Sequence, residues 1–467
     1  MTAAGQEVRA GARADVHHRA DVCVVGAGPA GLTLALLLLR SGVRVTVVER
    51  SRSHRREFRG EILQPGAMRI LDRLGVLAGA RARGCHEHDR FRLVERDRVL
   101  LDIDYRTLPA PHDHLLSVPQ SHLLTELLLR CAEFTHFEYV DGCRVNALLR
   151  DERGRITGAA ADGHVFHSTV VVGADGRFSQ VRRLAGIEAG RSEAFDQDVL
   201  WFKLTKDSPD AGHDVRVFRG AGTSPVLAYA SWPDRIQVGW TLPHGGYRRV
   251  VAEGLDHVKA CLSQAVPVYA DLIDAQITSL RDLSLLDVFS GRAERWARDG
   301  LVLMGDAAHT HSPIGAQGIN LSVQDAVVLH PLLVEAVGRG ETSAAFLSRF
   351  EERRAPDIAT MMRLQSMQSK AMLSTGPFAT RVRPGLAAVV KRTPLYRKVL
   401  RTIAFGNPSM GGGAARGTPP RRRAAPPRGA EPPPPAPRPT GARFSPSASA
   451  PAPAPPAPRP RSRRTAG

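Results

Sequence analysis

The first chemical signal is a set of residues at fixed spacing. Gly26, Gly28 and Gly31 form G-x-G-x-x-G, and Glu49 stands eighteen residues after the last glycine. In such a turn the first glycine allows a sharp bend. The second lets the backbone approach a pyrophosphate, and the third lets a helix pack on a strand. Pro29 suits a first helical turn, where its missing N–H has no intrahelical role. The N–H groups and dipole of that turn favour phosphate. At Glu49's distance a carboxylate accepts the hydroxyls of an adenosine ribose. The pattern points to a dinucleotide and does not separate FAD from NAD.

The surrounding sequence supplies elements to place those residues. Val22–Val25 is an apolar run expected to be a buried strand, Leu32–Leu39 the buried part of a helix that Gly42 stops, and Arg44–Val48 a second strand. Pro65 opens a helix ending at Gly75, and residues 91–104 give two short strands. An amphipathic helix carries Leu123, Leu124, Leu127 and Leu128. Thr169–Ala174 is a buried strand running into Asp175-Gly176. Val199–Leu204, Val215–Phe218, Val226–Trp232 and Ile236–Leu242 alternate as an antiparallel sheet with one wet face would. Residues 250–275 read as helix with a break at Pro267. Gly300–Met304 is a strand leading to Gly305-Asp306 and then to a helix in which Pro331 is awkward. A further helix over 342–370 is expected to be capped by Thr342 and bent or broken at Pro356.

Charge and cysteine usage exclude some classes. Of the net charge of +18, +10 lies in residues 408–467, which hold eleven arginines and one acid. That Pro/Ala/Arg-rich tail and the leader 1–19 bury too little apolar surface to order and are expected to be disordered. The modest positive charge left on the body suits anionic cofactors rather than nucleic acid. Five cysteines without a C-x-x-C pattern suit a reducing cytoplasm and argue against disulfides or a metal site. No run approaches the roughly 18 apolar residues of a membrane span.

GAGPAG with Glu49, GADGRFSQVRR and LMGDAAHTHSPIGAQGIN stand in this order. Together they closely resemble the single-component FAD-dependent aromatic hydroxylases, the p-hydroxybenzoate hydroxylase-like flavoprotein monooxygenases, across residues 20–370. The resemblance implies an α/β fold: a Rossmann-like FAD-binding domain (20–90, 119–190 and 289–372) with an inserted antiparallel-sheet substrate domain (91–118 and 191–288). A C-terminal helical segment (373–407) and the tail would follow. It implies FAD contacts at Gly26, Gly28, Gly31, Glu49, Arg50, Arg59, Gln120, Gly305, Asp306, Gly315, Gly318 and Asn320. Asp175, Gly176 and Arg182 match a motif that serves both FAD and NAD(P)H. Pro313 matches a proline whose carbonyl lies beside the substrate. The helix opening at Gly315–Asn320 would turn its positive end to the flavin.

The implied activity is NAD(P)H- and O2-dependent hydroxylation or epoxidation of an aromatic or polyketide-like molecule through a flavin hydroperoxide. The flavin carries that chemistry, and the protein supplies position, dryness and charge. His309 and His311 are the nearest candidates for moving protons, or else satisfied structural histidines. Tyr229, Trp240 and His244 are expected substrate liners, or else core. No metal is expected, and a homodimer is compatible. Two alternatives stay open: a flavin-dependent halogenase or isoprenoid-type double-bond reductase, whose tryptophan motif is matched only at Trp240 and Pro243, and a basic-tailed binding protein that keeps FAD structurally.

Overall fold

The computed structural model describes residues 15–52, 60–95, 98–192, 197–206, 213–219, 224–243, 245–286, 288–373 and 393–406. All belong to one unit, Met1–Thr418. Arg59, His244, residues 1–14, residues 374–392 and the tail from 407 lie outside the described residues.

Five parallel strands form the nucleotide half, in the order Leu301–Leu303, His164–Gly173, Val16–Val25, Val45–Val48, Phe137–Val140. Val22, Val24, Val47 and Val170 to Val172 are fully buried, as apolar runs covered on both faces must be. The helix Pro29–Arg40 packs against Gln317–Arg339 and Gln120–Ala132. Residues Val145–Arg150 and Ile156–Ala161 add an antiparallel hairpin to the lower part of His164–Gly173.

The first strand starts at Val16, six residues before the apolar run. His17 and His18 pair in register with Val165 and Phe166. His18 stacks on Phe166 at 4.6 Å and lies 3.0 Å from His164, ring nitrogen to ring nitrogen. Val16, His17 and Arg19 are exposed and His18 is polar, so apolar periodicity carries no trace of this stretch. The expected leader therefore gives its last residues to the sheet.

The second sheet has seven strands in the order Ser284–Leu286, Gln197–Thr205, Arg235–Pro243, Val226–Ser231, Asp214–Arg219, Arg90–Glu95, Arg98–Asp104. Only the Asp214–Arg219 and Arg90–Glu95 pair is parallel. Contrary to expectation, neither face is simply wet. Leu200, Phe202, Val238 and Trp240 pack under the helices Leu255–Ala265 and Ala270–Gln276. The opposite face carries Val199, Trp201, Val215 and Tyr229, packed with Ile62, Ile314, Ala316, Leu400 and Ala404. The segments that cover this second face come from 60–64, 314–316 and 394–405, far away in the chain.

Both interior prolines are carried without a break, in Gln317–Arg339 and in Arg349–Leu373. An interior proline costs about 3 kcal/mol. Burial of Leu321, Val323, Ala326, Leu329, Leu332 and Leu333 offsets that in the first helix. That helix is also long and apolar enough to cross a membrane, but more than half of its apolar stretch is buried inside the fold. Ser343, not Thr342, caps the next helix, accepting from Phe346 N. Thr342 is buried, and its carbonyl accepts from Gly300 N at 2.7 Å.

Candidate active site

The three glycines of the first turn serve different ends. A Cβ on Gly26, where φ is +109°, would lie 2.5 Å from Ala174 O, and one on Gly31 would lie 2.0 Å from Gly26 O. The chain itself requires both. A Cβ on Gly28 would meet nothing within 4 Å, so the open side of that residue faces space the chain does not fill. The helix that starts there has no side-chain cap and no acid in its first turn, so its positive end is free to meet an anion.

Glu49 leaves the end of Val45–Val48 almost fully buried. Its Oε2 accepts from Ala27 N at 2.8 Å and its Oε1 from Ser51 N at 3.0 Å. A carboxylate accepts several hydrogen bonds at once, and ribose hydroxyls are donors of the kind it suits. Gln120 opens its helix, buried, with Oε1 lacking a partner among the described residues. Arg50 is exposed beside Glu49. An uncapped helix start, a clamped acid and an orphaned amide oxygen fit an adenine dinucleotide.

The D-G-x-x-S-x-x-R motif builds its own cap. Asp175 accepts from Ser179 Oγ, from Gln180 N at 2.7 Å and from Val181 N at 3.0 Å, and Ser179 Oγ accepts from Arg182 N. Burial raises the Asp175 carboxyl above its ordinary range even against those bonds. Gly176 has φ +86°, with open space where a side chain would be. Arg182 donates to Ala307 O at 2.8 Å and to Arg177 O. Its guanidinium thus ties this motif to the turn that carries Asp306.

That turn, Gly305–Ala307, follows Leu301–Leu303. Gly305 N donates to Asp325 Oδ2 at 2.9 Å, and a Cβ on Gly305 would press on Ser322 and Ala30. Asp306 is half-buried on the turn, with Arg177 Nε 4.0 Å away.

His309 and His311 do not face outward. His309 Nε2 lies 2.7 Å from Asp325 Oδ2, and its Nδ1 lies 3.0 Å from His311 Nε2. His311 Nδ1 lies 3.3 Å from Gln365 Oε1. Gln365 Nε2 donates to Ser312 O and to Ile314 O at 2.7 Å. Arg354 Nε donates to the other Asp325 oxygen at 2.6 Å. Burial alone would raise Asp325, but His309 and Arg354 overcome it and hold the carboxyl at about 2. Burial pushes His311 down to about 3. With all four ring nitrogens engaged, these histidines brace the 312–314 loop from behind. Asp325, Arg354 and Gln365 were missed in the sequence. Their only signal was charge and amide on the apolar faces of two helices.

The loop they support is strained. Gly315 has φ +71°, and Ala316 has φ +52°. A left-handed non-glycine costs about 1–2 kcal/mol. Pro313 O accepts from Ala316 N at 3.0 Å. The helix that follows has no side-chain cap and no acid in its first turn, and a Cβ on Gly318 would meet nothing. Its positive end is open to an electron-rich ring. Asn320 is fully buried, and its amide is committed to the protein: Oδ1 accepts from Gln64 N at 2.7 Å, and Nδ2 donates to Ile62 O and Ala316 O. Gln64 Nε2 donates back to Gly315 O at 2.9 Å.

The expected substrate liners divide. Tyr229 lies on the sheet face that packs with Ile314 and Ala316. Trp240 does not: strand alternation turns it to the other face, among Val258 and Leu262. It lies on the face away from Ile314 and Ala316. Trp201, not among the expected liners, shares the face of Tyr229. Its ring lies over Gly239, where a Cβ would come within 2.7 Å of the indole. A glycine inside a strand was the available signal.

The family model described as "FAD binding domain" matches residues 19–365. A 6-methylpretetramide 4-monooxygenase of Streptomyces rimosus is 58% identical over 393 residues, 84% of this chain and 93% of that protein. An anhydrotetracycline monooxygenase of the same species is 31% identical, over 74% of this chain and 68% of that protein. The crystal structure of P. aeruginosa PqsL in complex with 2-aminobenzoylacetate aligns with a TM-score of 0.69 and 25% identity, covering 80% of this chain and all of that one. These relatives support no halogenase. The uncapped helix starts at Gly28 and Gln317, the clamped Glu49 and the strained 313–318 loop thus belong to an FAD-dependent monooxygenase, and the chain is a member of the FAD-dependent aromatic hydroxylase family.

Proposed function

We propose that this monooxygenase hydroxylates a polycyclic, phenolic polyketide of the 6-methylpretetramide type. The observation that carries this reading is the 58% identity across 93% of a 6-methylpretetramide 4-monooxygenase. In the reaction a ring C–H becomes C–OH, the second oxygen atom of O2 leaves as water, and NAD(P)H is oxidised to NAD(P)+.

Bound FAD supplies electron transfer from NAD(P)H to O2 and delivery of the oxygen atom. The chain supplies position. The Gly28 turn and the first turn of Pro29–Arg40 would hold the pyrophosphate, and Glu49 the ribose. Gln120 Oε1 would take a hydrogen-bond donor of the cofactor. The open helix start at Gln317–Asn320 would stabilise negative charge on the reduced ring. Gln64, Asn320 and Gln365 fix the loop around that position. The substrate would lie between this loop and the Trp201–Tyr229 face, where apolar walls exclude water.

In this reading residues 20–90, 119–190 and 289–372 hold FAD, and residues 91–118 and 191–288 hold the substrate. The enzyme works in the cytoplasm, where five free cysteines are kept reduced. Burial raises Cys23 and Cys131 to about 12, so neither is a thiolate.

The test is anaerobic. FAD-loaded protein receives NADPH, with and without 6-methylpretetramide, and the flavin absorbance is followed. Faster bleaching with the polyketide supports the reading. A flavin bleached at the same rate in both samples contradicts the substrate assignment.

A further inference from the structure

On the sheet face that meets the flavin loop, three polar side chains stand in one row across three strands. Lys203 pairs in register with Gln237, and Gln237 with Tyr229. Strand alternation sends their apolar neighbours Phe202, Ile236 and Val238 to the other face. Polar residues are thus grouped where a plain core would have none.

The row is held rigidly. Lys203 Nζ donates to Glu61 Oε1 at 2.6 Å and to Ser231 Oγ at 2.9 Å, and Ser231 Oγ donates to Glu61 Oε2 at 2.7 Å. Glu61 and Ser231 are buried, and Lys203 is nearly so. Three residues further on, Gln64 is bound to Asn320 and Gly315. The closed triad therefore fixes the sheet to the flavin loop. It leaves one ammonium proton without a partner among the described residues.

The neighbouring polar atoms are not all satisfied among the described residues. Gln237 is 1% exposed; its Nε2 donates to Phe202 O, and its Oε1 has no partner. His88 is fully buried and edge-on to Tyr229, with ring centroids 6.1 Å apart. The Ala230 backbone lies close enough to favour the charged ring, but neither ring nitrogen reaches hydrogen-bonding geometry with a partner among the described residues. Burial lowers His88 to about 4, so it is a neutral ring at ordinary pH. Burial and then the Glu61 charge raise Tyr229, so its phenol keeps its proton. Buried polar atoms are nearly always paired, so a concentration of unpaired ones marks where a ligand completes the set.

We propose that Lys203, Gln237 and Tyr229, with His88 beside them, form the seat for the oxygen-bearing edge of a phenolic ligand. An acidic phenol or enol oxygen meets the free ammonium proton of Lys203. A neighbouring hydroxyl donates to Gln237 Oε1, and the Tyr229 phenol donates to a third oxygen. The ligand's apolar body continues along the same face over Val215 and Trp201. The seat selects substrates by the number and acidity of their oxygens, and it rejects an analogue that lacks them because its own groups stay unpaired. This inference rests on the proposed aromatic hydroxylation and names what that substrate must carry.

The test measures binding to the FAD-loaded protein by equilibrium dialysis, with 2-naphthol and naphthalene as one pair of probes and 6-methylpretetramide as a third. The seat predicts at least tenfold tighter binding of 2-naphthol than of naphthalene. Gln237→Leu and Tyr229→Phe should each reduce that preference severalfold. Trp240→Phe, on the opposite face, should leave the preference intact. Equal binding of the two probes, binding of neither, or a preference untouched by both seat variants overturns the proposal. A preserved naphthol preference with no binding of 6-methylpretetramide would instead overturn the tetracyclic substrate and leave the seat standing.

Discussion

Asn320 Oδ1 accepts the Gln64 backbone N–H at 2.7 Å, joining two residues 256 positions apart. The bond pins the start of the helix that would face the flavin to the segment leaving Glu61. Asn320→Leu should leave the Gln64 N–H buried and unpaired. The expected loss is about 1–3 kcal/mol of stability, with weaker FAD binding because the loop loosens. Thermal unfolding with and without FAD checks it, and an unchanged melting temperature in both samples would show that the bond holds nothing.

Gly28 and Gly31 separate fold from cofactor. Gly31→Ala should destabilise the protein whether or not FAD is bound, because its Cβ would sit 2.0 Å from Gly26 O. Gly28→Ala should leave the apo protein as stable as before, since φ is −82° and nothing lies within 4 Å. It should weaken FAD at least tenfold. Glu49→Ala should weaken FAD by about 1.5–3 kcal/mol through loss of a charged hydrogen-bond partner. Flavin retention during gel filtration and a titration of apo protein separate these outcomes.

Asp325→Asn removes the counter-charge from Arg354, which is 1% exposed. Breaking a buried pair from one side costs about 3–5 kcal/mol. A variant as stable as the parent in urea unfolding would contradict the bracing role given to this network.

Stability should fall on mild acidification. His311 is lowered to about 3 and His88 to about 4, from an ordinary 6.5. Below about pH 6.5 the unfolded chain takes up protons that the buried rings refuse. Each ring should therefore remove about 1.4 kcal/mol per pH unit as pH drops from about 6.5 towards its folded value. The Asp325 contribution is present above about pH 4 and is lost only as pH falls towards about 2. Urea unfolding at several pH values checks the slope, and His88→Phe should make it shallower between about pH 6 and 5.

The nucleotide half was legible because its signals are local. Val22–Val25, the glycine turn and Glu49 fall within one short stretch, and the buried valines need no partner to be recognised. The polar first residues of Val16–Val25 were invisible, because a polar strand extension has no apolar period. The face that Trp240 occupies was hidden for another reason. Alternation reveals that a strand has two faces and not which one meets the flavin loop; that was set by 60–64 and 394–405 folding over Trp201. The same limit hid Asp325, Arg354 and Gln365, whose roles exist only once helices distant in sequence pack together.

The central claim is that this chain inserts one atom of O2 into a phenolic polyketide. The most direct measurement incubates the FAD-loaded protein with 6-methylpretetramide, NADPH and isotopically heavy O2, then weighs the product. The account predicts a hydroxylated polyketide carrying a single heavy oxygen atom, formed in step with NADPH oxidation. NADPH consumed with the polyketide returned unchanged, or a product whose new oxygen comes from water, would contradict it.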